Sequence, residues 1–389
     1  MKTGKSLLQT VPGSLSFALS VAMIWRRKGR VALAISGIGI LVFLAKAQIG
    51  LMVGWTNTNT ALIRHSGADL WVMARNTPAW DYGTAIPRQA VFQARSVHGV
   101  ADAEALFMAW NTWQRPDGRK VNVELVGLDE KFWGGPWKMK SGNLSAIRRQ
   151  DHVVVDELYL SLLGAHGVGG DFEMYGRRAT IGAISEGIRT FTASPHIFTT
   201  IANAIEYDRR YGSNQITYVL VKCLPGVSLR TVQSSLRKEI DYAEVLTTRE
   251  FARRTAAYWM IETGVGFTVV LTAILGLLVA ALIASQTVMA STREALPNYA
   301  TLRAIGFGRK PLVGMVLIQS IFLGVGGIGV GGGFFLWASI ATARTPVPLE
   351  YTPVTLMGVS FAILIACIVS TAPALRLLFK LDPIAVFHA

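Results

Sequence analysis

The placement of the apolar runs constrains this chain more than any other feature. One run, Val31–Trp55, lies near the N-terminus and is interrupted only by Lys46. A long mixed stretch follows, and then three runs without a single charge, at 264–290, 311–343 and 351–375. About 20 predominantly apolar residues suffice to cross the hydrocarbon core of a bilayer, and each run is long enough. With 51% hydrophobic residues, 16% charged residues and a mean hydropathy of +0.39, the chain is too apolar for an ordinary soluble protein. The expected class is an α-helical membrane protein with four transmembrane helices, at 31–55, 261–290, 311–343 and 351–375. A large extracytoplasmic α/β domain is expected between the first two, at 56–260.

Charge orients this layout. The segments 1–30, 291–310 and 376–389 together carry +10 of the chain's net +14. With four spans, all three lie on one side. The positive-inside rule then makes both termini and the 291–310 loop cytoplasmic, and the large domain periplasmic, in a multi-pass protein of the inner membrane. A nucleic-acid partner is not expected, because the basic residues form three juxtamembrane clusters rather than one stripe. The N-terminal run has no A-x-A-like cleavage site and reads as a signal anchor. Within the basic N-terminal segment, 7–25 is mildly amphipathic and is expected to lie along the membrane surface. The two cysteines, Cys223 and Cys367, fall in the outer domain and the last span, so neither a disulfide framework nor a cysteine metal cluster is expected.

The outer domain reads as two strand–helix–strand units around an insertion. The first comprises a strand at 68–74, a helix at about 86–97 with Pro87 in its first turn, and a strand at 102–110. The second comprises a strand at 215–221, a helix capped by Ser228 with Leu229, Val232, Leu236 and Ile240 on one face, and a strand at 243–246. Together they suggest a split subdomain. Strand candidates at 121–127, 152–155, 171–175 and 179–184 place an inserted β-rich subdomain at 111–214. The stretch 247–258 reads as a helix with a Thr cap, running on into the second span as one stalk.

Catalytic chemistry is sparse. The sequence contains no G-x-x-x-x-G-K-[ST], no H-E-x-x-H and no G-x-S-x-G. The G-x-G-x-x-G at Gly324, Gly326 and Gly329 lies inside an uncharged span rather than after a strand. The glycines there instead offer a small-x-x-x-small face, Gly327 with Gly331, for helix packing within the chain or across a dimer. Lys46 is expected to snorkel toward the outer interface. No line of acids crosses the spans, which argues against an ion-driven carrier.

Four segments carry a resemblance. They are WRRKGRVALAISGIGILVF at the first span, GADLWVMARN at 67–76, STREALPNYATLRAIGFGRK at 291–310 and LDPIAVFHA at 381–389. In these the chain resembles the FtsX/MacB-like permeases of ABC systems (type VII transporters), and among them the DevC-like exporter permeases. The resemblance implies a non-enzymatic subunit with no cofactor of its own. ATP and Mg would be bound by a separate ABC ATPase subunit. It further implies a homodimer in the lipid bilayer, a periplasmic membrane-fusion adaptor and an outer-membrane channel. Motions of the ATPase would cross the membrane mechanically and drive export of a lipid, a glycolipid or a hydrophobic small molecule. A lipoprotein-extracting permease, or an FtsX-like regulator of a periplasmic cell-wall hydrolase, is the alternative within the family; a sensor is the alternative outside it. The implied ATPase-coupling residues are Arg293, Glu294, Pro297, Tyr299, Leu302, Arg303, Ile305 and Gly306, with Leu302–Gly306 matching the family's Leu-Arg-Ala-Ile-Gly signature. Asp382 and Pro383 match its C-terminal motif. Pro297 departs from the pattern and is expected to start or kink the coupling helix. Tyr299 and Arg303 stand at i, i+4 and would share its docking face.

Overall fold

The computed structural model describes residues 28–190, 194–304 and 307–379. These fall into two compact units, one made of Gly54–Phe267 with Arg344–Pro348 and the other of the remainder. Helix α1 (Lys28–His65) is 38 residues long, about 57 Å at 1.5 Å per residue.

The outer unit is a mixed α/β domain. Its elements are β1 (Leu70–Ala74), β2 (Ile86–Pro87), α2 (Gln89–Ser96), β3 (Val100–Gln114), β4 (Lys120–Leu128), β5 (Met139–Ser141) and β6 (His152–Asp156). There follow α3 (Leu160–Leu163), β7 (Asp171–Met174), β8 (Arg177–Ser185), β9 (His196–Thr200), α4 (Ile201–Tyr207), β10 (Gln215–Ile216) and β11 (Tyr218–Cys223). It closes with α5 (Leu229–Glu239), β12 (Ala243–Thr247) and α6 (Thr248–Ala257). Ten strands form one sheet along the path β12-β1-β11-β3-β4-β9-β6-β8-β5, with β7 pairing β3 and β8. The strands of 111–214 are therefore hydrogen-bonded into the same sheet as the two terminal units, rather than into a sheet of their own. The 15-residue β3 makes the join: its first half pairs β11, its second half pairs β4, and its last residues also meet β7.

Both faces of this sheet are covered, so its strands are apolar at consecutive positions rather than alternately. On β1, Leu70 and Val72 enter one core with Val91 of α2 and Val232 and Leu236 of α5. Trp71 and Met73 enter the other, with Leu62 and Ile63 of α1 and Phe251 of α6. Several local expectations shift. Pro87 pairs in β2 instead of opening α2, which starts at Gln89. The strand expected at 215–221 breaks at Thr217, whose hydroxyl donates to the Met108 carbonyl at 3.0 Å. Ser228 stands at the N-cap of α5 without a side-chain capping bond, and Leu229 points outward.

The expected stalk is interrupted. Helix α6 opens with a reciprocal capping box, Thr247 with Glu250, and is succeeded by a π-helical turn over Tyr258–Glu262. Gly264 then takes a left-handed φ of +74° before α7 (Val265–Glu294) begins. A left-handed residue terminates a helix, and the extra residue of a π turn shifts its face.

In the second unit, α7 is followed by α8 (Leu296–Ala304), α9 (Arg309–Thr342), α10 (Pro353–Val369) and α11 (Ala372–Phe379). Among the described residues, four helical stretches are long and apolar enough to cross a membrane: Lys28–His65, Val265–Glu294, Arg309–Thr342 and Pro353–Phe379. Gly327 and Gly331 sit where α9 meets α1. A Cβ on Gly331 would collide with the Gly39 carbonyl, and one on Gly327 with the Ile38 side chain. This pair packs within the chain. Lys46 is buried, 7% exposed, with Nζ over Gly332, where a Cβ would lie 3.1 Å away. Its stem and head fill the space the glycine leaves, rather than reaching outward.

Candidate functional site

The loop implicated by the sequence is built as an extension of α7. Ala295 donates its N–H to Ser291 and Thr292, and Tyr299 donates back to Ala295 at 3.0 Å, so α7 and α8 are separated by one residue and joined by helical bonds. Pro297 falls in the first turn of α8. Its missing N–H costs nothing there, because the first four helical N–H groups lack intrahelical partners in any case.

The face that Tyr299 and Arg303 share turns inward rather than outward. Tyr299 is fully buried, with Ala295 and Ala300, in a core that includes Val288, Leu312, Met315, Ala374 and Leu378. Leu302 packs against that core and is half-buried, as is Arg303. The outward side of α8 carries Pro297, Asn298, Thr301 and Ala304, small and mostly uncharged. Arg293 is exposed, and Glu294 forms an ion pair with Arg30 at the start of α1. Arg309 lies 5.9 Å from the Phe379 ring centroid, a cation–π contact. Ile305, Gly306, Asp382 and Pro383 lie outside the described residues. The basic and aromatic knob expected from sequence is thus a helix rooted by its tyrosine, with a neutral outer face.

A second cluster escaped the sequence reading. Inside the outer unit, Glu124 on β4 is paired in register with His196 on β9, and His196 Nδ1 lies 3.1 Å from Glu124 Oε2. The Trp80 indole donates to the same carboxylate at 3.3 Å. One residue on, Asp81 receives the Trp259 indole N–H at 3.0 Å, and its carbonyl receives that of Trp110 at 2.9 Å. Burial pushes the Asp81 carboxyl well above the usual carboxylate range, the Glu124 charge adds to the rise, and the Trp259 bond opposes it. Trp80 also stacks on Tyr218 at 5.2 Å and donates its backbone N–H to Thr255 of α6.

This cluster holds the π turn. Trp259 and Tyr258 belong to it, and Tyr82 lies edge-on to Tyr258 at 5.3 Å. Just before it, Arg254 grips Glu244 with two bonds of 2.7 and 2.6 Å, which hold the Glu244 carboxyl below its usual range. No sequence signal could have found the set, because residues 81, 124, 196 and 259 come from four distant segments. Among the described residues, no group of three His, Cys, Asp or Glu is placed to hold a metal ion.

Comparison with known proteins is consistent with this division. Residues 31–239 match the MacB-like periplasmic core domain, and residues 270–383 match the FtsX-like permease C-terminal region. No curated protein matches the chain. Among solved structures, the chain is similar to the periplasmic region of MacB from Actinobacillus actinomycetemcomitans, with 11% identity, a TM-score of 0.39, and coverage of 48% of this chain and 93% of that one. It is similar too to the extracellular domain of the noncanonic ABC-type transporter YknZ from Gram-positive bacteria, with 11% identity, a TM-score of 0.36, and coverage of 46% and 98%.

Proposed function

We propose a function from one premise: the chain belongs to the FtsX-like permeases that carry a MacB-like periplasmic core domain. It is the transmembrane component of an ABC transporter and works with an ATPase. In our reading that ATPase is a separate subunit that binds ATP and Mg, and it docks on α8 from the cytoplasmic side. The permease is a homodimer of the inner membrane. Its outer domain engages a periplasmic membrane-fusion adaptor and, through it, an outer-membrane channel. The cargo class is a lipid, glycolipid or hydrophobic small molecule.

The observation that carries this reading is the way α8 is rooted. A handle must be stiffer than the contact that pulls it. Tyr299, Ala295 and Ala300 are buried in the helical core, while Asn298, Thr301 and Ala304 face outward. When the ATPase subunits close on ATP, a push on the outer face of α8 loads the core through Tyr299 and the end of α7 through the Ala295 bonds. The work crosses the membrane as helix movement, with no solute path through the spans.

Co-expression with its ATP-binding subunit tests this. The wild-type chain should retain that subunit through purification, and Thr301→Arg should reduce retention at least tenfold. Thr301 is exposed, so the melting temperature of the variant should stay within the small range typical of surface substitutions. Failure to retain any ATP-binding subunit, or full retention by Thr301→Arg, would overturn the reading.

A further inference from the structure

A cavity of about 750 Å³ in the outer unit is walled by Arg64, Arg249 and Arg253, with Ala68, Leu229 and Ala252 as its apolar side. Arg64 lies in the last turn of α1, and Arg249 and Arg253 stand four residues apart on α6. Like charges at that spacing repel, and Arg64 adds a third.

The acids nearby are already engaged. Asp69, on the wall, accepts from Lys222 Nζ at Oδ1, 3.1 Å, and from the Cys223 N–H at Oδ2, 2.9 Å. Glu250 accepts the Thr247 N–H and the Gln233 side-chain amide, both at 2.8 Å. Arg64 reaches only the neutral Asn57 Oδ1, at 3.3 Å. Arg249 and Arg253 have no hydrogen bond or ion pair among the described residues. The wall between them is fixed: Thr248 of α6 donates its backbone N–H to the Asp69 carbonyl and its hydroxyl to the Ala68 carbonyl. The result is three guanidinium groups next to an apolar surface, with the wall carboxylate of Asp69 already taken up by Lys222 and the Cys223 N–H.

We propose that this cavity binds the phosphate group of an amphiphile, with the arginines on the phosphate oxygens and the adjoining apolar portion against Leu229 and Ala252. Guanidinium groups suit this role because their planar forks pair with phosphate oxygens two at a time. The volume lies in the range of small-molecule sites and leaves room for more than an inorganic anion. The site does not depend on the transporter reading, since binding is read on the chain without its ATPase.

Titration calorimetry on the full chain in neutral detergent micelles tests it, with dihexanoyl phosphatidic acid, inorganic phosphate and uncharged dihexanoylglycerol as probes. Phosphatidic acid should bind at least tenfold more tightly than inorganic phosphate, and dihexanoylglycerol should not bind. The double variant Arg249→Gln/Arg253→Gln should weaken phosphatidic acid at least tenfold with its melting temperature unchanged, since both side chains are exposed. Inorganic phosphate binding as tightly as phosphatidic acid would assign the site to free phosphate and overturn the amphiphile. Equal binding of phosphatidic acid by wild type and double variant would overturn the site itself.

Discussion

The two ends of α7 are built differently. At its C-terminal end the helix passes into α8 with one residue between them, bridged by backbone bonds and pinned by the buried Tyr299. At its N-terminal end, α6 gives way to a π turn, and Gly264 breaks the path with a left-handed φ. One end is welded and the other jointed. A mechanical part that receives force at α8 needs the first. The second separates α7 from α6, which the Arg254–Glu244 pair, and the Trp259–Asp81 bond just beyond it, fasten within the outer domain.

The weld is the place to break this contrast most severely. Tyr299→Ala empties a fully buried aromatic site and is expected to cost about 3–5 kcal/mol. It should abolish ATPase retention along with the stability of the helical unit, read as loss of a monodisperse peak after detergent extraction. Gly331→Leu follows, at about 1–3 kcal/mol from overpacking, because its side chain meets the Gly39 backbone rather than a movable group. It should leave outer-domain ligand binding intact in whatever fraction folds.

The anchor of the joint sharpens the contrast through pH. Asp81 has its carboxyl raised in the folded chain, chiefly by burial. The unfolded chain releases that proton first, so stability is highest below the usual carboxylate range and falls as pH climbs toward the raised value. In a full-chain melt, Asp81→Asn should flatten that fall and match or exceed wild type at neutral pH. Asp81→Ala should instead lose about 1–3 kcal/mol, because it removes the carboxylate that accepts from the half-buried Trp259 indole N–H. A pH profile of Asp81→Asn parallel to wild type would contradict the assignment.

The smallest expected effect is at the joint itself. A Cβ at Gly264 meets nothing within 4 Å, so Gly264→Ala carries only the left-handed backbone penalty, about 1–2 kcal/mol at most. If the break is functional, coupled ATP turnover should fall by more than the melting temperature suggests. If Gly264→Ala leaves turnover unchanged, the joint is a connector and the contrast between the two ends loses its meaning.

The parts of this molecule governed by local rules could be read in the sequence. Uncharged runs became the long helices, and Thr247 with Glu250 three residues on became a capping box. What could not be read depended on partners far away in the chain. An aromatic residue on a nine-residue helix has the same spacing whether it faces a core or a partner, so spacing does not reveal that Tyr299 is buried. Gly264 stands at the start of an uncharged run, where a glycine reads as close packing; only the backbone angle identifies it as a break. The ten-stranded sheet was hidden because β3 is longer than the apolar stretch that marks it, and its last four residues, Asn111–Gln114, carry the pairing onward. Asp81, Glu124, His196 and Trp259 share no spacing at all.

In the proposed function, the outward face of α8 receives the ATPase and the outer domain does not. Site-specific cross-linking tests it directly, in a chain with Cys223 and Cys367 replaced by alanine and a single new cysteine introduced by Thr301→Cys or by Tyr242→Cys. Both positions are exposed. Position 301 should cross-link to the ATP-binding subunit, and position 242 should not. A cross-link from 242 with none from 301 would reverse the orientation and contradict the claim.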